Sequence, residues 1–97
     1  MIKLKFHFSP PFNELTKIIN TELEFEDELT LIELFDRLSD IYGSKFNDLL
    51  WDQKNKDTLS SFLSIVINGN TYRGKNYLNT KLKNRDDLSF LYVYFGG

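Results

Sequence analysis

The chain has no cysteine. That excludes disulfides, thiolate metal sites and a cysteine nucleophile, and it suits a reducing compartment. Long hydrophobic runs are also missing: none approaches the ~20 residues that a membrane span requires. The opening Met1-Ile2-Lys3-Leu4-Lys5-Phe6 alternates instead of building a signal-peptide core, so a cytoplasmic location without membrane contact is expected. Positive charge is not in excess. The formal net charge is −2 and the pI is about 5.3, so the chain lacks the basic face that a nucleic-acid partner would need. There is a single histidine. No internal repeat and no low-complexity segment is visible.

Aromatic residues, by contrast, are abundant: 15% of the chain, with nine Phe and five Tyr. Large rings let a small domain bury much area with few residues. Ninety-seven residues correspond to one domain, 1–97. Such a domain buries roughly 60–65% of its unfolded surface, enough for one core and not for two.

Alternation marks the first strand. Ile2, Leu4, Phe6 and Phe8 are spaced by Lys3, Lys5 and His7. Ser9-Pro10-Pro11 ends it, because proline removes a ladder donor. Phe12 to Ile19 can hold one helical turn. Thr21, Leu23 and Phe25 then alternate with Glu22, Glu24 and Glu26. If this second strand pairs antiparallel with the first, glutamates and lysines share the solvated face, each opposite pair contributing about 0.2–1 kcal/mol.

The clearest element follows. Thr30 and Glu33 form a capping box, and Leu29 and Leu34 occupy the flanking staple positions. Leu31, Leu34, Phe35, Leu38, Ile41 and Tyr42 recur at helical spacing, and Gly43 is placed to close the helix in the left-handed conformation. The spacing predicts a helix over Leu31 to Tyr42. Phe46, Leu49, Leu50 and Trp51 predict a short further helix, with Asp52 to Thr58 as a polar loop. Phe62 to Ile67 is β-rich and runs into Asn68-Gly69-Asn70, a hairpin signal. Thr71-Tyr72-Arg73 is the return strand. Leu78 and Leu82 anchor the next connection, Asp86-Asp87 turns the chain, and Leu88 to Phe95 forms the last strand.

The order is a strand pair, a long helix, a second pair and a final strand. The first and last strands are the most apolar, as central strands are, so they are placed side by side and parallel, reached by a right-handed crossover. The expected class is α+β: a ubiquitin-like β-grasp with a mixed sheet of four to five strands and one main helix on one face.

Few residues could carry chemistry. His7 falls on the solvated strand face and reads as a surface residue. Asp86 and Asp87 point to opposite sides and read as turn residues. Gly69 and Gly74 are not spaced as a phosphate loop. No nucleophile–base–acid set and no metal-spaced cluster is present, so an enzyme reading has no residue support and no bound cofactor is expected.

Gly96-Gly97 stands out. At a glycine frequency of about 7%, a terminal pair arises by chance in roughly one chain in 200. Two glycines form a tail with broad backbone freedom and no bulk beside a carboxylate, as an enzyme activating a chain end requires. The alternative is a frayed end without a role. Beside the tail, Leu91 and Val93 are expected to face outward from the last strand as an apolar contact surface, unless a loop covers them.

The whole chain resembles the MoaD/ThiS family of sulfur carriers. Met1-Ile2-Lys3-Leu4-Lys5-Phe6 is similar to the family's opening strand, and Phe12-Asn13-Glu14-Leu15-Thr16 to its short helical turn. Leu63 to Asn70 is similar to its strand and hairpin. Leu82, Asp86, Asp87, Leu88, Phe90, Leu91 and Gly96-Gly97 fit its closing pattern. Tyr92-Val93-Tyr94-Phe95 departs from it, because the family often carries a Pro-Pro pair and then Val-Ser or Val-Thr before the glycines. The longer Ser44–Ser61 segment resembles archaeal ubiquitin-like small modifier proteins of the same group. The resemblance implies that an ATP-dependent, ubiquitin-activating-type enzyme adenylates the carboxylate of Gly97, and that a sulfur donor converts it to a thiocarboxylate. The partners implied are that adenylating enzyme and a sulfur acceptor, such as a molybdopterin synthase large subunit. Contacts fall to Leu91, Val93, Tyr94 and Phe95. A lysine-conjugated modifier and a non-covalent interaction module remain the other readings.

Overall fold

The computed structural model describes residues 1–72 and 77–93. Among these residues, five strands form one sheet: β1 (Ile2–Phe8), β2 (Asn20–Phe25), β3 (Leu63–Ile67), β4 (Asn70–Tyr72) and β5 (Asp87–Tyr92). Their order is β2-β1-β5-β3-β4. β1 and β5 run parallel, while the other neighbours are antiparallel. The expected adjacency of first and last strands is therefore present, with β5 in the middle of the sheet. The sheet is accompanied, within the described residues, by the helices α1 (Phe12–Thr16), α2 (Leu31–Tyr42) and α3 (Ser44–Leu50).

The two-residue period of β1 turns Ile2, Leu4, Phe6 and Phe8 into the core and leaves Lys3 and Lys5 exposed. α2 starts where the capping box places it. The Thr30 hydroxyl accepts from the Glu33 N–H at 3.3 Å, and the Glu33 carboxylate accepts from the Thr30 N–H at 2.9 Å. Leu31, Leu34, Phe35 and Leu38 are buried against the sheet. Ile41 is not. It lies at the flank of the stripe in the last turn and is 51% exposed. Gly43 has φ +98° but ψ 177°, so it takes a positive φ without the left-handed helical geometry. An extended ψ there turns the chain sharply enough for one residue to end α2 and begin α3.

α3 inserts Phe46 and Leu50 into the core. An isolated bridge between Trp51 and Leu59 closes the polar loop behind it. That loop is organised by Asp52, whose carboxylate accepts from the N–H groups of Lys54 and Asn55. The β3–β4 turn holds positive φ at both Asn68 (51°) and Gly69 (87°), as the Asn-Gly signal demands.

Candidate functional site

β5 is the strand that precedes the diglycine in the chain, so the geometry of its two ends is decisive. Its start is clasped by turn residues. Asp86 accepts from the Asn68 side-chain amide at 2.8 Å and from the Lys83 N–H at 2.7 Å. The Asn68 side-chain oxygen accepts from the Asp87 N–H at 2.9 Å. The aspartate pair is thus structural, as the sequence indicates, and it ties the hairpin turn to β5.

The other end is held by packing. Tyr92 pairs with Leu63 across the ladder. Its ring meets Phe12 edge-on at 5.4 Å, and its hydroxyl donates to the Leu49 carbonyl. Val93 donates its N–H to the Phe62 carbonyl at 2.8 Å. The predicted strand to Phe95 is therefore shorter in the described residues, ending at Tyr92. Tyr94, Phe95, Gly96 and Gly97, all named above as site residues, lie outside the described residues, as do Arg73 and Gly74.

Leu91 and Val93 are half-buried, which corrects the expectation of outward exposure. A central strand has neighbours on both edges, and their side chains shield what an edge strand would expose. Leu91 pairs with Ser64, which is 3% exposed. With Phe90 buried beneath the helices, alternation puts Leu91 on the opposite sheet face. That face also carries Ser89 and half-buried Val66, which are cross-strand partners. Around Leu91 this face therefore presents Ser64, Val66 and Ser89, which are small or aliphatic.

His7 shares this face and has partners that its sequence position did not reveal. Its Nε2 lies 2.8 Å from the Asp87 carboxylate, and its Nδ1 contacts the Asn20 side-chain oxygen. Ser89 is its cross-strand neighbour. This resembles a Ser-His-Asp grouping only by composition. Both imidazole nitrogens are occupied, which leaves neither to draw a proton from the serine hydroxyl. Among the described residues, no group of three or more potential metal-ligating side chains comes together. A polar depression of about 360 Å³ lined by Lys3, Lys5, Glu22, Asn84 and Arg85 lies near the start of β5. No helix among the described residues is long and apolar enough to cross a membrane.

The ThiS family model matches residues 10–97, from the turn after β1 through both terminal glycines. The chain belongs to the ThiS family. The resemblance drawn from its motifs is thereby shown. Solved structures agree on the fold of this ThiS-family chain. Small archaeal modifier protein 1 of Methanosarcina acetivorans is 24% identical with a TM-score of 0.75, covering 100% of this chain and 98% of that one. The Haloferax volcanii protein of the same name is 13% identical with a TM-score of 0.75, covering 98% and 99%. A putative molybdopterin converting factor subunit 1 of Pyrococcus furiosus is 17% identical with a TM-score of 0.74, covering 97% and 100%. A search of the curated proteins gives no match. The ubiquitin-like β-grasp is shared across these structures. Membership of the ThiS family fits a small carrier protein.

Proposed function

We propose that the chain is a cytoplasmic sulfur carrier whose reactive atoms belong to Gly97. An activating enzyme supplies ATP. The Gly97 carboxylate attacks the α-phosphorus, pyrophosphate leaves, and an acyl-adenylate forms. A sulfide-level donor then attacks the acyl carbon and expels AMP, leaving a thiocarboxylate for an acceptor such as a molybdopterin synthase large subunit. The chain contributes no catalytic side chain and needs no bound cofactor. Gly96 and Gly97 supply a slender end, while Leu91, Val93, Tyr94 and Phe95 supply the contact surface beside it.

The observation that carries this reading is the family match running through the diglycine, together with a central strand that precedes it in the chain and is held at both ends. A second reading, conjugation of Gly97 to lysines of other proteins, is favoured by the fold likeness to the small archaeal modifier proteins.

The test is intact-mass measurement after incubation with a ubiquitin-activating-type enzyme, ATP and a sulfur donor. Replacement of one oxygen by sulfur at the C-terminus is expected, and deletion of Gly97 should abolish it. Lysine-linked adducts in extract without any thiocarboxylate would favour the modifier. Absence of both, with no pyrophosphate exchange, would remove the proposal.

A further inference from the structure

Strand β2 lies at one edge of the sheet. Its inward hydrogen bonds are fixed by register. The Phe8 N–H donates to the Ile19 carbonyl at 2.8 Å, and the antiparallel pairs continue through Phe6↔Thr21, Leu4↔Leu23 and Ile2↔Phe25. Bonded pairs alternate in such a ladder, so Thr21, Leu23 and Phe25 spend their backbone groups on β1. The groups of Asn20, Glu22 and Glu24 face away from the sheet. The opposite parity on β1 agrees, since Lys5 and Ser9 donate across to the β5 side.

This edge is chemically one-sided. Glu22, Glu24, Glu26, Asp27 and Glu28 are all exposed, and no Lys or Arg occurs between Lys17 and Arg37. Leu23 and Phe25 are only half-buried and pack on the margin of the core. A second copy of the chain is a poor occupant. Pairing two β2 edges sets Glu22 and Glu24 beside their own equivalents, and like charges across a ladder are destabilising.

The molecule already displays the complementary strand. On the inner side, β1 answers Glu22 with Lys5 and Glu24 with Lys3, and it answers Leu23 with Leu4. Lys3 Nζ lies 3.6 Å from Glu24 and 4.0 Å from Glu22. We infer that the outer edge of β2 is a docking site for an extended partner segment that alternates aliphatic and basic residues, added antiparallel as a sixth strand. Backbone pairing supplies attachment. Lysine or arginine over Glu22 and Glu24, and an aliphatic residue beside Leu23, supply selection. This site does not use the diglycine and does not depend on the carrier reading. It lets a partner hold the domain while the tail stays available.

The probe is a capped synthetic peptide carrying residues Ile2–Phe8, titrated into the isotope-labelled full chain. Amide shifts confined to β2 are expected, with slowed exchange at Asn20, Glu22 and Glu24. In an antiparallel addition the peptide's lysine amides face β2. N-methylation at both lysines should therefore abolish binding, and N-methylation at the peptide's Leu4 and Phe6 should leave it intact. The opposite pattern would mean that the peptide displaces β1, and would overturn the inference. Exchanging both peptide lysines for glutamate, or introducing Glu22→Gln with Glu24→Gln in the protein, should weaken binding about tenfold. The uncharged variants retain strand geometry, so a dispersed spectrum with unchanged affinity, or no response of β2 to the parent peptide, equally sinks it.

Discussion

Phe90 sits where the core converges. The rings of Phe6, Phe8, Phe12, Phe35 and Phe46 all have centroids within 6.3 Å of its own. Phe90→Ala removes the shared contact and leaves a cavity that five rigid rings fill poorly. A loss of about 3–5 kcal/mol is expected, readable as a drop in the denaturation midpoint. Leu91, one position on, faces the other way and is only half-buried. Leu91→Glu should cost about 1 kcal/mol or less, yet weaken binding to an activating enzyme severalfold. Thermal melts paired with a binding assay separate the two effects, and an unfolded variant would mean that Leu91 serves the core. Alternation alone makes this division legible in the sequence. It could not show the His7–Asp87 contact, because positions 7 and 87 meet only through the parallel pairing of β1 and β5. Nor could it show that Tyr92 reaches the Leu49 carbonyl, since that bond requires α3 to be docked beneath β5.

The helix α2 is the element read most completely from sequence, because capping is local chemistry. Thr30→Ala removes the hydroxyl that accepts the Glu33 N–H, and about 1 kcal/mol of stability should go with it. The Thr30 backbone N–H holds the Glu33 carboxyl below its ordinary 4.5. The N–H groups of Lys54 and Asn55 hold Asp52 below its ordinary 3.8. A carboxyl that is more acidic in the folded chain contributes stability above its unfolded value, and loses it as pH falls through the folded value. Stability should therefore decline below about pH 4.5, and Glu33→Gln should make that acid limb shallower in pH-dependent denaturation. What the helical period missed is positional. It identifies a stripe but not where the stripe stops being covered, so Ile41 emerges into solvent. Gly43 does end the helix, but its extended ψ depends on the following helix, which local pattern cannot supply.

At the scale of the molecule, the strand order was accessible because the most apolar strands belong at the centre of a sheet. β1 and β5 do lie together. Among the described residues, the buried cluster runs from Ile2 to Phe90. Gly97 has no side chain to bury, and its removal should leave the melting temperature unchanged while ending activation. A lowered melting temperature in that variant would mean that the tail supports the body. The half-burial of Leu91 was hidden for the converse reason, since shielding by two flanking strands is a property of the assembled sheet and of no single segment.

The position of β5 also has a consequence in time. During translation, the strands flanking it are made first, and each then waits with one edge unmatched. The sheet cannot join its two hairpins until residues 87–92 clear the ribosome. Closure of the architecture is thus coupled to the emergence of its last strand, and a nascent chain stalled earlier would hold two separate ribbons, not a partial domain.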